Sequence, residues 1–244
     1  SWSPDDQRIA FVSNRGGSWN IGTVSVDGED LRNHTESLHS ATNSLSDLTI
    51  SSPPSWAPDG TRLVFSGAVD DNHDLYSVDL NTDTITRLTD TSENERGPLW
   101  SPDGESILFT ISEGTTELYF LDISSGRIRH FPTALDNLVN WPSFEFSPDG
   151  QWIYYDRGAG AGIYKVPISG GPALPVATPG GRAHWAENDT IVYQFGTEIY
   201  RVAAAGGDPE MERTDVIIRE RSPLRSPEHR KRTAQRARTG SLAP

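Results

Sequence analysis

Histidine is the residue in this sequence best suited to metal binding or to acid–base chemistry near neutral pH. The six histidines stand at positions 34, 39, 73, 130, 184 and 229. None has the His-Glu-x-x-His spacing or a comparable ligand spacing, and they are spread over separate segments of the chain. The histidines therefore predict no metal site.

The stretch Asp70-Asp71-Asn72-His73-Asp74 offers the oxygen ligands that calcium prefers. It lacks the Asp-x-Asp-x-Asp-Gly spacing and the later bidentate glutamate of a calcium-binding loop. A solvated turn explains the same residues, and we favour that interpretation.

Nucleophilic catalysis and phosphate binding have no motif in this sequence either. It contains no cysteine and no Gly-x-Ser-x-Gly elbow. The glycine-rich stretch Gly158-Ala159-Gly160-Ala161-Gly162 lies between two predicted strands and has no helix after it to bind phosphate. We therefore expect no catalytic residue, no cofactor and no enzymatic activity.

A repeated pentapeptide organises the rest of the chain. Trp100-Ser101-Pro102-Asp103-Gly104 has counterparts that begin at Trp2, Trp56, Phe146 and Trp185, so that the intervals are 54, 44, 46 and 39 residues. Repetition at a period of roughly 20 to 50 residues is typical of solenoids, propellers and arrays.

Each pentapeptide is followed by runs of β-branched and aromatic residues that are separated by turn residues. The runs after Trp56 are Arg62–Ser66, Asp74–Val78 and Thr86–Thr89. Such runs predict strands, and Pro-Asp-Gly predicts a tight turn between the first and second strand. The sequence therefore predicts an all-β fold of about five four-stranded antiparallel sheets, which can bury both faces by stacking radially as a β-propeller. The aromatic residues that open the motifs are predicted to be core residues, packed between neighbouring blades.

The repeat resembles the WD40-like PD40 repeat of the TolB family of β-propellers. Residues 54–60 (PSWAPDG) and 98–104 (PLWSPDG) match its opening, and residues 13–21 (SNRGGSWNI) match its middle. The resemblance covers residues 1–214, with blades that start near residues 1, 54, 98, 144 and 183. Rings that resemble this one usually have six blades or more, and the chain opens inside a motif without a methionine. We therefore expect an open or incomplete ring with further sequence upstream.

The resemblance implies two classes of function. TolB-like propellers are periplasmic protein-binding modules, and similar repeats serve as scaffold or sensor domains of bacterial signalling proteins. This implies a non-enzymatic module in the periplasm or another extracytoplasmic place, although a cytoplasmic place also fits the sequence. The alternative is the gating propeller of a prolyl-oligopeptidase-type serine peptidase, whose hydrolase domain is absent here. Similar propellers can hold a channel cation such as calcium, but no motif in this sequence supports one.

In a propeller, the loops between second and third strands lie on the same face as the connections between blades. An insertion over residues 34–45 predicts a surface loop on this face. The expected rim has charges of both signs, which suits a peptide or protein loop better than a polyanion. For any single rim residue, a solvated loop position remains the simpler interpretation. The candidate partner-binding residues are Arg15, Trp19, Asp70, Asp71, His73, Arg96, Arg157, Arg182 and His184.

Charge is divided unevenly along the chain. The whole chain has a formal net charge of −13, whereas residues 212–244 contain nine Arg or Lys against four Asp or Glu. An acidic propeller repels nucleic-acid backbones, so we expect no nucleic-acid partner for it. No apolar run approaches the roughly 20 residues that span a bilayer. The Arg-rich residues 215–244 are polar and without a period, which predicts disorder. A contact with a nucleic acid or an anionic surface is the less favoured interpretation of Arg230-Lys231-Arg232.

Deletion of residues 219–244 should leave the melting temperature unchanged, because this segment has too little apolar surface to offset the entropy of ordering it. Thermal unfolding of the full and the truncated chain measures the difference. A large drop on truncation would show that the segment covers part of the propeller.

Overall fold

The structure is a computed structural model that describes residues 1–39, 45–112, 116–132, 144–157, 160–186 and 188–212. The predicted tail over residues 215–244 lies outside this range. Twenty strands form five antiparallel sheets, called blades 1 to 5 in chain order. Among the described residues, no helix has the length and apolarity to cross a membrane.

The first two blades contain eight strands and one short 3-10 helix, Glu36–His39. Blade 1 consists of β1 (Arg8–Ser13), β2 (Asn20–Ser25) and β3 (Arg32–Asn33). Blade 2 consists of β4 (Thr49–Ile50), β5 (Ser55–Trp56), β6 (Arg62–Val69), β7 (Asn72–Asp79) and β8 (Ile85–Arg87).

The remaining three blades have four strands each. Blade 3 consists of β9 (Glu95–Trp100), β10 (Ser106–Ser112), β11 (Thr116–Asp122) and β12 (Ile128–His130). Blade 4 consists of β13 (Phe144–Phe146), β14 (Trp152–Asp156), β15 (Ile163–Pro167) and β16 (Leu174–Ala177). Blade 5 consists of β17 (Ala183–Ala186), β18 (Thr190–Phe195), β19 (Glu198–Ala203) and β20 (Glu210–Glu212).

The predicted propeller of about five four-stranded blades is confirmed, with two local variations at the first strand. In blade 1 that strand is reduced to a single bridge between Trp2 and Ile9. In blade 2 two short strands, β4 and β5, both pair with β6 and share the first position. Strands that are neighbours in sequence pair throughout the other blades, so each blade is an antiparallel meander.

The Pro-Asp-Gly turn is built by side-chain hydrogen bonds as well as by backbone preference. In blade 3, Ser101 Oγ accepts a hydrogen bond from the Ser106 amide at 3.0 Å, and Asp103 Oδ1 accepts one from the Glu105 amide at 2.9 Å. Gly104 has φ +74°, which a residue with a side chain rarely adopts. In blade 1, Asp6 takes the same position at φ 58°, since aspartate tolerates this conformation better than most residues.

These turns stack on one another from blade to blade. A Cβ placed on Gly104 would lie 3.7 Å from Cδ of Pro58, and one on Gly150 would lie 3.7 Å from Cδ of Pro102. The glycine of each of these turns therefore packs on the proline of the preceding turn.

The hydrophobic core lies between the blades, because alternate residues of each strand face opposite neighbours. Leu63 and Phe65 of β6 pack toward blade 1, whereas Val64 packs toward Trp100 of blade 3. None of these three side chains of β6 has exposed surface. Four such clusters join the five blades in series.

The aromatic residue that opens each motif packs against the preceding blade. Trp56, Trp100 and Phe146 are 8%, 4% and 6% exposed, which confirms the prediction that they are core residues. The same prediction is wrong for Trp2, which is 51% exposed. The reason is that blade 1 has no preceding blade among the described residues.

The insertion over residues 34–45 was expected to form a surface loop, but part of it is core. Leu38 has no exposed surface and belongs to the cluster between blades 1 and 2, where the partly buried Leu45 packs against it. His34 is 3% exposed and contacts Thr23 Oγ through Nε2 at 2.9 Å and Asp83 Oδ1 through Nδ1 at 2.6 Å. The insertion is therefore tied to both blades. Residues 40–44 lie outside the described residues.

Trp100→Ala should lower the free energy of unfolding by about 3 to 5 kcal/mol, because it removes a large buried aromatic side chain. Trp2→Ala, at the same position of the repeat, should cost about 1 kcal/mol or less because that ring is half exposed. Urea unfolding of both variants measures the difference. Equal losses would contradict the interblade role of the motif aromatic.

Candidate partner-binding face

The two ends of the blades differ in chemical character. Because successive strands run in opposite directions, the Pro-Asp-Gly turns and the turns between third and fourth strands share one end, called the turn face. The loops between second and third strands and the connections between blades share the other end, called the loop face. Its described loops after second strands include residues 14–19, 70–71 and 196–197.

All nine candidate residues belong to elements that end on the loop face. Arg15 and Trp19 lie in the β1–β2 loop, Asp70 and Asp71 form the β6–β7 turn, and His73 stands at the start of β7. The other four are in blades 3 to 5. Arg96 lies near the start of β9, Arg157 directly follows β14, Arg182 directly precedes β17, and His184 lies on β17.

Asp70 and Asp71 form a two-residue hairpin turn. Val69 pairs with Asn72 across it, and both aspartates are exposed with φ of 51° and 64°. Two positive φ values are typical of a type I′ turn, which matches the twist of the strands. The stretch is therefore the exposed turn that the sequence favoured, while Asp74 points into the protein and is 1% exposed.

His73 and Arg96 are brought close to each other between blades 2 and 3. His73 Nδ1 lies 2.9 Å from Ser51 Oγ, which in turn lies 3.1 Å from Ser66 Oγ. Burial of the ring and the nearby positive charge of Arg96 lower the pKa of His73, so the ring is neutral at pH 7. A neutral His73 has a hydrogen-bond donor and an acceptor, of which Nδ1 is engaged by Ser51.

His184 pairs with a residue that sequence reasoning missed. Its Nδ1 lies 2.7 Å from Glu145 Oε1 on the first strand of blade 4, and its side chain is 74% exposed. Glu145 Oε2 also accepts a hydrogen bond from the Trp185 amide at 2.8 Å. Glu145 and His184 each precede the motif aromatic of their own blade, so this shared position was the signal that could have found the pair.

Three further candidates differ in availability. The guanidinium of Arg157 lies over the ring of Tyr164, 3.8 Å from its centroid, so it is already engaged within blade 4. Arg15 is exposed and Trp19 is 46% exposed in the loop that they share. The contacts of the described residues do not join this loop to the candidates of the other blades.

A buried polar network fixes the connection between blades 2 and 3. Asp74 accepts hydrogen bonds from Arg87 Nη2 at 2.6 Å and from Asn72 Nδ2 at 3.0 Å. Glu95, which has no exposed surface, accepts hydrogen bonds from the hydroxyls of Thr89 and Thr91. Burial raises the pKa of Glu95 against the opposing effect of these hydrogen bonds. The network holds residues 88–94 against the loop-face ends of both blades.

The repeat of blade 2 ends in Leu88-Thr89, and the threonine has a structural role within this network. Thr89 Oγ accepts a hydrogen bond from the Leu75 amide at 2.9 Å, and Thr35 Oγ accepts one from the Ile21 amide at the same distance in blade 1. In each of these two blades, a threonine just beyond the end of the fourth strand therefore satisfies a third-strand amide.

A cleft of about 500 Å³ opens between this connection and blade 3. Its lining includes Glu93, Glu95, Glu117 and Tyr119. Tyr119 Oη donates a hydrogen bond to Glu117 Oε2 at 2.9 Å. The cleft thus combines carboxylates with apolar walls from Ile111 and Ile128. In the part of the chain that the structure describes, no group of three His, Asp or Glu residues is placed to hold a metal ion.

The pKa values of His184 and His73 should be shifted in opposite directions from the pKa of an ordinary histidine. The hydrogen bond to Glu145 raises the pKa of His184, whereas burial and Arg96 lower that of His73. NMR titration should therefore give the higher pKa for His184, and Glu145→Gln should reduce that value without moving His73.

The same pair predicts a pH dependence of stability. A raised pKa in the folded state means that the pair stabilises the fold below the unfolded pKa of about 6.5 and loses this effect as pH rises through the folded pKa. The difference in the free energy of unfolding between the parent chain and Glu145→Gln, measured by urea unfolding, should therefore be larger at about pH 5.5 than at about pH 8.5. If this difference in the free energy of unfolding did not change with pH, the result would contradict the ion pair.

Comparison with known proteins supports the repeat assignment. Residues 39–140 match the family model of the TolB beta propeller domain. The Protein TolB homolog of Chlorobium chlorochromatii (strain CaD3) is 31% identical over 144 residues, which cover 59% of this chain and 30% of that protein. The Uncharacterized peptidase YuxL of Bacillus subtilis (strain 168) is 44% identical over 68 residues, which cover 28% of this chain and 10% of that protein.

A solved structure agrees at the level of the fold. TolB from Acinetobacter baumannii superposes with a TM-score of 0.62 at 22% identity, covering 84% of this chain and 51% of that one. The chain spans less than a third of the length of the two curated relatives above. The five blades, their repeated motif and these matches together support a TolB-like β-propeller, in which the PD40 family model is matched over residues 39–140.

Proposed function

We propose that this propeller is a non-enzymatic module that binds an extended peptide or a protein loop on its loop face. The observation that carries the proposal is Trp19, which remains 46% exposed on that face while Trp56 and Trp100 are buried between blades. Arg15 lies in the same loop, and tryptophan and arginine are both among the residue types enriched at the hot spots that dominate binding energy at protein interfaces.

The charges of the loop face support a peptide rather than a polyanion. Arg15 offers a forked donor for a carboxylate. Asp70 and Asp71 are exposed carboxylates in blade 2, and the cleft beside Glu93 and Glu117 has room for a basic side chain. A ligand with groups of both signs can match this surface, whereas a chain of phosphates would meet the carboxylates.

The similarity to TolB proteins supports a scaffold or sensor role and a periplasmic or other extracytoplasmic location as parts of the same proposal. In this role the propeller presents a preformed face, and the rigid blades limit the entropy that binding costs.

The second candidate is the propeller domain of a serine peptidase. It is favoured by the 44% identity to the peptidase YuxL over 68 residues. In that case the chain controls access to a hydrolase domain and has no activity of its own. A gene that encodes a hydrolase domain next to these repeats would favour this candidate over the first.

Selection of a random phage-displayed peptide library on the full chain tests the first proposal. Binding of the selected synthetic peptide is then measured by fluorescence anisotropy. Arg15→Ala combined with Trp19→Ala should weaken this binding more than tenfold, or about 1.4 kcal/mol.

A matched control lies in the β2–β3 turn of the same blade, on the turn face. Val26 is 52% exposed there and Glu29 is exposed, so Val26→Ala with Glu29→Ala should leave the affinity unchanged. Loss of binding only in the control variant would place the site on the turn face. Failure to select any peptide over a scrambled control would count against a peptide-binding module.

A further inference from the structure

Blades 2 to 5 carry a tyrosine at the same position of the third strand, directly opposite an aromatic residue of the second strand. The two rings stack in each of these blades, with centroids 5.5 to 5.9 Å apart. The four pairs are Phe65 and Tyr76, Phe109 and Tyr119, Tyr155 and Tyr164, and Tyr193 and Tyr200. The surroundings of this tyrosine can therefore be compared between blades of one chain.

In blade 2, an arginine of the chain lies beside this tyrosine. Arg87 stands opposite Tyr76 in the strand register. Its Nη2 lies 2.6 Å from Asp74 Oδ2 and 2.7 Å from Asp90 Oδ1. Asp74 precedes the tyrosine by two residues, so both side chains lie on the same face of the strand. Blade 2 thus places a guanidinium group between two carboxylates, next to the tyrosine.

In blade 4, an arginine lies over the equivalent tyrosine. The guanidinium carbon of Arg157 is 3.8 Å from the centroid of the Tyr164 ring. Such a contact is favourable because the face of an aromatic ring attracts a positive charge. Two of the four tyrosine positions are therefore accompanied by a guanidinium group of this chain.

Blade 3 keeps the carboxylate and the tyrosine, but the position of Arg87 holds a different residue. That residue is His130, whose ring meets the Tyr119 ring edge-on with centroids 5.1 Å apart. Glu117 stands two residues before the tyrosine, as Asp74 does in blade 2, and accepts a hydrogen bond from Tyr119 Oη at 2.9 Å. Blade 3 therefore retains an anionic and aromatic site in which a shorter histidine replaces the arginine.

Space for a further group exists beside Tyr119, because the cleft of about 500 Å³ opens along it. Ligand pockets of proteins commonly have volumes of about 300 to 1,000 Å³. Among the described residues that line the cleft, Glu93, Glu95 and Glu117 are acidic and none is positively charged. The cleft therefore combines an excess of negative charge with an aromatic ring.

The connections into blades 2 and 3 explain why this space is filled in one blade and open in the other. Residues 34–48 lead into blade 2, and Leu38 and Leu48 of this longer connection pack in the core cluster that contains Tyr76. Residues 88–94 form the shorter connection into blade 3, where Thr91 and Glu93 line the cleft instead. The cleft is thus a consequence of the short connection.

We propose that the cleft is a pocket for the guanidinium group of an arginine in the bound peptide or protein loop. The inference rests on the proposed peptide-binding function and names the residue type that anchors the ligand. The guanidinium group contacts the Tyr119 ring and donates hydrogen bonds to the carboxylates of Glu93 and Glu117. The methylene stem of the arginine packs on the apolar walls formed by Ile111 and Ile128.

The position of the cleft allows a ligand on the loop face to reach it. Glu93 belongs to the connection between blades 2 and 3, and Glu117 is the second residue of β11, which begins at the loop-face end of blade 3. Both carboxylates therefore lie at the end of the blades where the proposed peptide binds.

Other side chains match the cleft less well. An anionic group would meet three carboxylates, and an apolar group would cover Glu93 and Glu117 without a counter-charge. Lysine offers a compact and strongly hydrated charge, whereas the planar fork of arginine can serve two carboxylates and lie against a ring at the same time. Arginine therefore fits the combination of groups in the cleft.

Titration of the isotope-labelled full chain with N-acetyl-arginine amide, followed by NMR, tests the pocket without any selected peptide. The backbone amide signals of Thr91, Glu93, Glu117 and Tyr119 should shift. N-acetyl-citrulline amide has nearly the same shape but no charge, and it should bind about tenfold more weakly because it lacks charge-assisted hydrogen bonds. N-acetyl-lysine amide should also bind more weakly than the arginine compound.

Glu93→Gln combined with Glu117→Gln should weaken binding of the arginine compound about fivefold or more, because both charge-assisted hydrogen bonds are lost. Glu95 is kept unchanged, since the buried network depends on it. The matched control is Glu198→Gln in blade 5, which removes the charge from the equivalent hydrogen bond with Tyr200 Oη, at 2.5 Å. Glu198 does not line the cleft, so this variant should bind the arginine compound as the parent chain does.

Equal affinity for the arginine and citrulline compounds would overturn the inference, and so would tighter binding of the lysine compound or an equal loss in the control variant. The peptide selected on the full chain separates this inference from the proposed function. If its binding survives replacement of every arginine by citrulline, the pocket is wrong while the peptide-binding function stands. If the arginine compound binds in the cleft but no peptide can be selected, the pocket is supported and the result counts against the peptide-binding function.

Discussion

Stacking of blade on blade is the interaction on which the rest of this structure depends. A four-stranded antiparallel sheet with apolar residues on both faces cannot keep either face in water, so no blade is stable alone. The motif aromatic makes the contact directional, because in blades 2 to 5 it packs against the preceding blade. The core is consequently a series of four interblade layers, and the stability of a blade depends on which neighbours it has.

The polar groups of the loop face depend on this series as well. Asp74 and Glu95 are buried carboxylates, and their hydrogen-bond partners come from the strand ends and connection that join blades 2 and 3. A buried charge without such partners destabilises a protein strongly, so the network restricts the positions of residues 88–94. The Glu145–His184 pair links blades 4 and 5 in a similar way, although it is more exposed. The loops that could meet a partner are therefore mounted on ordered blade junctions.

The period of the sequence was sufficient to predict the strands, their order and the turn residues, because each repeats a local rule of backbone geometry. Asp70 and Asp71 were predictable as a turn for the same reason. Trp2 was predicted wrongly because burial depends on a neighbour that the motif itself does not contain. Leu38 was missed because the length of an insertion does not show which of its residues fold back on the core. The shared position of Glu145 and His184 before their motif aromatics could have suggested the pair, but the contact itself depends on the angle between two blades, which no local pattern encodes.

The stacked Pro-Asp-Gly turns have a consequence for how the length of this protein can vary. The separation from the motif aromatic to the second residue of the second strand is seven residues in blades 1 to 4 and six in blade 5. The repeat interval, in contrast, ranges from 39 to 54 residues. A Cβ added at Gly104 or Gly150 would contact the proline of the preceding turn at 3.7 Å, so these turns stack closely at the turn face. Length differences are taken up elsewhere in the repeat, with the longest insertion in a connection on the loop face. One end of the molecule therefore has a nearly constant spacing, while the other takes up the differences in length, and the insertion there also adds Leu38 to the layer between blades 1 and 2.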